Sequence, residues 1–144
     1  MKLPIQALPS VGSITAEYFK GLPLAGKAVL IQTDWSRHWN TENYYEGHPF
    51  VSEDAALYMR EQGVKLVGID SYNIDDINDG KRPVHSILLG ADILIVEHMT
   101  NLNEVPVDSF KFYAVPVKIK QFGTFPVRAF VEVSDKDDNE GNVL

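Results

Sequence analysis

Two residues in the stretch 83–102, PVHSILLGADILIVEHMTNL, carry the groups most suited to chemistry, the imidazole of His85 and the carboxylate of Glu97. The run Ile93, Leu94, Ile95, Val96 is apolar on both faces, as in a strand covered from both sides, and Glu97 is the first charge after it. That places a carboxylate at the carboxyl end of a strand, where open α/β sheets keep their ligands. A charge directly after four buried apolar residues must find a partner, which could be a metal ion, the next turn or a lysine. His85 stands just after Pro83, which suits the first turn of a helix; Ile87, Leu88 and Leu89 give that helix an apolar side, and Gly90 can close it in the left-handed conformation. A histidine at a helix start either serves a ligand or hydrogen-bonds to backbone.

Other polar residues are weaker candidates. Asp70 ends a neighbouring strand and could orient an imidazole, or simply form a turn before Ser71. Asp75 and Asp76 fall in the polar loop SYNIDDINDGKR and read as solvated charges. His98 adjoins Glu97, and adjacent side chains on a strand point to opposite faces, so it reads as structural. Trp35 and Trp39, with Arg37, His38, Tyr44 and Tyr45, make the loop DWSRHWNTENYY a wall suited to an aromatic ring; such loops are also ordinary interface material. No GxSxG elbow, P-loop or GxGxxG is present, so nucleophilic serine and nucleotide-loop chemistries have no support.

The elements that must position these residues can be read in order. Residues 1–26 are a weakly patterned lead-in, with one short helix over 14–21 capped by Thr15 and stopped by Gly21. KAVLIQT (27–33) is a strand, the aromatic loop follows, and Ser52 caps the helix SEDAALYMREQG, with Glu53 and Asp54 in its first turn and Gly63 ending it. KLVGID is the next strand, so strand, helix, strand predicts two parallel strands. FKFYAVPVKIK and PVRAFVEV are later strands, the first demoted in part to an edge or bulge by Pro116, and residues 134–144 form a charged tail that should fray. The expectation is one mixed α/β domain over residues 1–144.

Composition narrows the rest. Twenty acidic against 13 basic residues give a net charge of −7 with no basic cluster, a poor match to nucleic acid or an anionic membrane surface. There is no cysteine, so any metal would be held by histidine and carboxylate, which suits zinc, manganese or iron. No apolar run approaches a membrane span, and MKLPIQALPS lacks the apolar core of a signal peptide, so the expected location is cytoplasmic.

Taken in order, GIDSYNID, PVHSILLG, IVEHMTNL, VPVKI and PVRAF resemble the second half of the cyclase family, which includes bacterial kynurenine formamidase and isatin hydrolase. The likeness runs from about Lys27 to Val133. It implies a swivelling β/β/α fold lacking its first part, and a metal-dependent hydrolase of small cyclic or aryl amides of the N-formylkynurenine type. It nominates His85 and Glu97 as ligands of a divalent ion, zinc or manganese. GHPFVSEDAA is also shared, so His48 would line the substrate pocket or pack against Trp or Tyr. One departure stands out: the family's remaining ligands and its general base lie in an HxGTHxDxPxH motif, which this chain does not contain. The resemblance therefore leads to two expectations, a site completed by a neighbouring copy or complementing chain, or a non-catalytic binding or structural subunit that oligomerises.

Overall fold

The apolar stretches at 28–32 and 66–69 form the centre of a parallel sheet in the computed structural model, which describes residues 1–5 and 12–133. In chain order the strands are β1 (Lys2–Pro4), β2 (Ser13–Ile14), β3 (Ala28–Gln32), β4 (Phe50–Val51), β5 (Leu66–Ile69), β6 (Leu94–Val96), β7 (Phe110–Val115) and β8 (Arg128–Val133). The four-stranded sheet has the order β1-β3-β5-β6, with Leu30 opposite both Lys2 and Gly68, and Gly68 opposite Val96. β2 and β4 make a short parallel pair, and β7 and β8 an antiparallel ribbon. The protein is a mixed α/β fold.

Two helices, α1 (Glu53–Glu61) and α2 (Pro83–Leu89), cover one face of the main sheet. Ala55, Ala56 and Met59 of α1 and Val84 and Leu88 of α2 join Phe19, Val29, Ile31, Val67 and Ile69 in a single buried cluster. The periodic apolar face explains why both segments are helical here. As expected, Ser52 caps α1, its hydroxyl accepting from Ala55 N at 3.4 Å, and Glu53 and Asp54 occupy the first turn. The opposite face of the sheet, around Leu30 and Leu66, is covered by Met99, Leu102 and the inward side of β7, Phe110, Phe112 and Ala114. Gly68 permits this second layer to sit close. A Cβ at that position would lie 2.6 Å from Met99 Sδ and 2.8 Å from Leu30 Cδ2.

Several details differ from the sequence reading. The lead-in contains two strands, because Lys2–Pro4 pairs with β3 and Ser13–Ile14 with β4. Thr15 precedes a 3₁₀ turn, Ala16–Phe19, without a side-chain cap bond. β6 is an edge strand rather than one covered on both sides, and Leu94 is 61% exposed. Gly90 has φ −64°, an ordinary right-handed value, and the left-handed residue after α2 is Asp92. β7 stops at Val115, immediately before Pro116, which supplies no ladder N–H. The tail 134–144 lies outside the described residues.

Candidate functional site

His85 reaches its position through a carboxylate that sequence reasoning passed over. α2 has no side-chain cap from its preceding residue, Arg82, and instead takes one from Asp75, ten residues before His85. Asp75 Oδ1 accepts from Val84 N at 2.7 Å, while Oδ2 accepts from His85 N at 3.0 Å and pairs with His85 Nδ1 at 2.5 Å. Asp75 is 1% exposed, so it is no solvated loop charge. The polar loop lacks a regular helix or strand, as its composition requires, but its middle is firmly held: Asp75 N donates to Asn73 Oδ1, and Val51 N donates to Ile74 O. Ile74 itself is fully buried in the core.

Glu97 follows β6 at the carboxyl end of the parallel sheet. Its Oε1 accepts from Ile74 N at 2.8 Å and lies 3.7 Å from His85 Nε2. Both side chains are mostly shielded, 17% exposed for His85 and 21% for Glu97. The guanidinium of Arg82 is also present, Nη2 lying 2.9 Å from His85 Nε2 and 3.3 Å from Nδ1. Among the described residues no three His, Cys, Asp or Glu side chains converge in a way that could hold a metal ion.

An open cleft of about 970 Å³ runs between the outer face of the sheet and the β7–β8 ribbon. Glu97, His98 and Trp39 line it together with apolar groups such as Met99, Phe112 and Phe125. Thus of the residues singled out from sequence, Glu97 and Trp39 border the cleft, whereas His85, His48 and Trp35 do not. His48 is 3% exposed, its Nδ1 close to Pro49 O and its ring packed edge-on against Tyr72. Trp35 donates from Nε1 to Tyr44 O and so braces the aromatic loop from behind. That loop is built from two 3₁₀ turns, Trp35–His38 and Glu42–Tyr45.

Asp70 does not orient His85. It anchors the start of the aromatic loop, Oδ1 accepting from Thr33 N and Thr33 Oγ1 and Oδ2 from Asp34 N, and burial raises its pKa above the usual carboxylate value. Asp34 can then adopt the left-handed φ of 61° that turns the chain away from β3. His98 also has a left-handed φ, 57°, so β6 does not continue through it and the alternation argument fails there. Its side chain is exposed at the cleft, with Nδ1 3.0 Å from Tyr44 Oη and the ring among Trp39, Tyr44 and Tyr72. The signal that could have revealed it was the polar pair directly after an apolar strand, where strands commonly end.

Tyr44 is buried at the centre of this aromatic group, and burial, helped by the charges of Asp70 and Glu97, pushes its phenol up to about 12. A raised acid pKa means the neutral phenol is favoured by folding: that contribution is intact below the unfolded value near 10 and is lost as pH rises through about 12. Ultraviolet titration of phenolate formation should therefore show Tyr44 ionising late, and Tyr44→Phe should remove the step near 12 while leaving that of Tyr113, which its hydrogen bond to Glu132 also raises.

With this geometry in hand, the similarity to known proteins is informative. The family described as Putative cyclase matches residues 10–76. The chain is 27% identical over 123 residues to the kynurenine formamidase of Bacillus cytotoxicus, a match covering 85% of this chain and 57% of that enzyme. It is similar, with a TM-score of 0.77 and 26% identity, to a solved structure described as a potential metal-dependent hydrolase with cyclase activity, over 90% of this chain and 62% of that one. Isatin hydrolase A from Ralstonia solanacearum shares the fold, with a TM-score of 0.79 at 22% identity, over 92% of this chain and 59% of its own. The chain spans somewhat under two thirds of each of these relatives. Ordered motifs, the parallel sheet with its strand-end carboxylate and these matches all liken the chain to the cyclase family, over part of its relatives' length.

Proposed function

We propose that this protein is a metal-dependent hydrolase of small aryl or cyclic amides, of the kind represented by N-formylkynurenine, with His85 and Glu97 holding a divalent zinc or manganese ion. The observation that carries this reading is the approach of His85 Nε2 to Glu97 Oε1, 3.7 Å apart at the carboxyl end of a parallel sheet. The two donors suit such an ion in kind, though two are fewer than a catalytic site needs: an imidazole nitrogen and a carboxylate oxygen suit zinc or manganese, and the second nitrogen of His85 already has a carboxylate partner. When bound, the ion would lower the pKa of water and polarise the amide carbonyl.

The chain's own residues do the rest. Trp39 and the apolar wall of the cleft would take up the aryl ring, with Trp35 bracing that wall and His48 packed behind it. Glu97 faces both the cleft and His85. Arg82 lies against His85 Nε2 and would turn outward, its guanidinium being exposed. Catalytic zinc normally has three protein ligands and two are described here, so the reading includes a neighbouring copy or a complementing chain that supplies the others. The absence of a third convergent ligand among the described residues favours one alternative, a binding or structural subunit without turnover.

Elemental analysis after zinc or manganese loading, paired with an N-formylkynurenine hydrolysis assay, distinguishes them. Stoichiometric metal and turnover in the native chain, both lost in His85→Ala, are the expected outcome. A chain that retains no metal and hydrolyses nothing, alone or as an oligomer, would establish the non-catalytic reading instead.

A further inference from the structure

The loop at 73–75 touches both halves of the His85–Glu97 pair at once. Ile74 N donates to Glu97 Oε1 at 2.8 Å, and the next residue places its carboxylate on His85 Nδ1. This three-residue unit is itself fixed from two sides, by the Asx turn from Asn73 Oδ1 to Asp75 N and by the bond from Val51 N to Ile74 O. We infer that Asp75 is the positioning residue of the site, holding the His85 proton on Nδ1 so that the Nε2 lone pair faces Glu97, while the Ile74 amide sets Glu97 opposite it.

Three features of the geometry support this. Both oxygens of Asp75 accept backbone N–H groups, from Val84 and His85, so the carboxylate cannot rotate away from the ring without breaking the start of α2. The Asp75 oxygen that accepts from His85 N also lies 2.5 Å from Nδ1, a contact that is a hydrogen bond with the ring proton on that nitrogen. On the other side of the ring Arg82, which only donates, lies closer to Nε2 than to Nδ1, consistent with Nε2 as the free acceptor. A metal ligand needs that nitrogen unprotonated. In this way one buried aspartate caps a helix and selects the tautomer of a histidine on its first turn.

The inference rests on His85 being a metal ligand, and its test separates the two ideas. Long-range ¹H–¹⁵N correlation spectra of the metal-free protein report the tautomer directly, and zinc affinity is measured by chelator competition. Native His85 should be protonated on Nδ1. Asp75→Asn keeps one acceptor for the start of α2 but brings an NH₂ group towards the ring, so Nε2–H should gain population and zinc affinity should fall about 10- to 100-fold. Asp76→Asn, which removes a neighbouring charge without touching His85, should change neither. A purely structural cap would lower thermal stability in Asp75→Asn and leave the tautomer alone; that result would overturn the assignment. So would Nε2–H in the native protein, a measurement that stands even if the variant does not fold. If native protein takes up no zinc yet His85 is protonated on Nδ1 and switches in Asp75→Asn, the positioning role stands and the metal reading fails.

Discussion

Replacing Asp70 with alanine should lower stability by about 3 kcal/mol, because two backbone N–H groups and a hydroxyl lose their shared acceptor and each unmet partly buried group costs about 1–3 kcal/mol. The lower end of the summed range applies, since burial already works against the charged form of this carboxylate. In a chain of this size the change corresponds to a fall in Tm of about 10 °C. The sign of its pH dependence follows from the raised pKa. Protonated Asp70 is favoured by folding, so its contribution is complete below the ordinary aspartate value and declines as pH rises through the higher folded value. Urea denaturation at several pH values should thus find the gap between native protein and Asp70→Ala wider in acid than at neutrality. A gap that widened instead on going from acid to neutrality would contradict the burial assigned to this group. The same variant releases Thr33 and Asp34, so Trp35 fluorescence should shift even where the fold survives.

Leu88→Ala should cost about 3 kcal/mol as well, through a different route. Leu88 is fully buried and is one of two buried anchors of α2, the other being Val84. Removing it leaves a cavity beneath a helix of only seven residues, too short to persist without tertiary packing. The loss is therefore expected to be local before it is global. Amide exchange in α2 should accelerate more than in β3 or β5, and His85 should lose its fixed relation to Asp75. Leu89→Ala is the matched control: its side chain is half exposed, and the change should stay within about 0.5 kcal/mol. Equal losses in the two variants would mean that α2 is not held by the face described here.

What could be read from sequence follows the physics of local signals. α1 was legible from its cap, its charged first turn and its terminal glycine, all within twelve residues, and the β3–α1–β5 order dictated parallel pairing. His85 and Glu97 drew notice because each stands beside an apolar run that changes character at that point, and the fold brings the two within 3.7 Å. Asp75 was not, since its role depends on a backbone path that folds the polar loop back under α2, and composition alone describes that loop as solvated. The two strands of the lead-in escaped notice for a related reason: segments of two and three residues acquire strand geometry from their neighbours and carry no period of their own. His98 was misplaced because the alternation argument extends β6 two residues beyond its end at Val96.

The main sheet is blunt at its margins, and the ribbon is where the chain is open to unwanted partners. β1 and β6 are each three residues long, and the free side of β1 is partly occupied where Lys2 N donates to Val107 O. β7 and β8 are twice that length and display Tyr113, Val115, Phe130 and Val133 at the surface. Their segments alternate well enough to recruit a further strand from an unfolding chain, the first step of cross-β aggregation. Lys111, Arg128 and Glu132, exposed on the same two strands, interrupt the apolar run, and Lys111 and Glu132 face each other across the ladder. Three charges thus stand where gatekeeper residues interrupt an aggregation-prone strand pair.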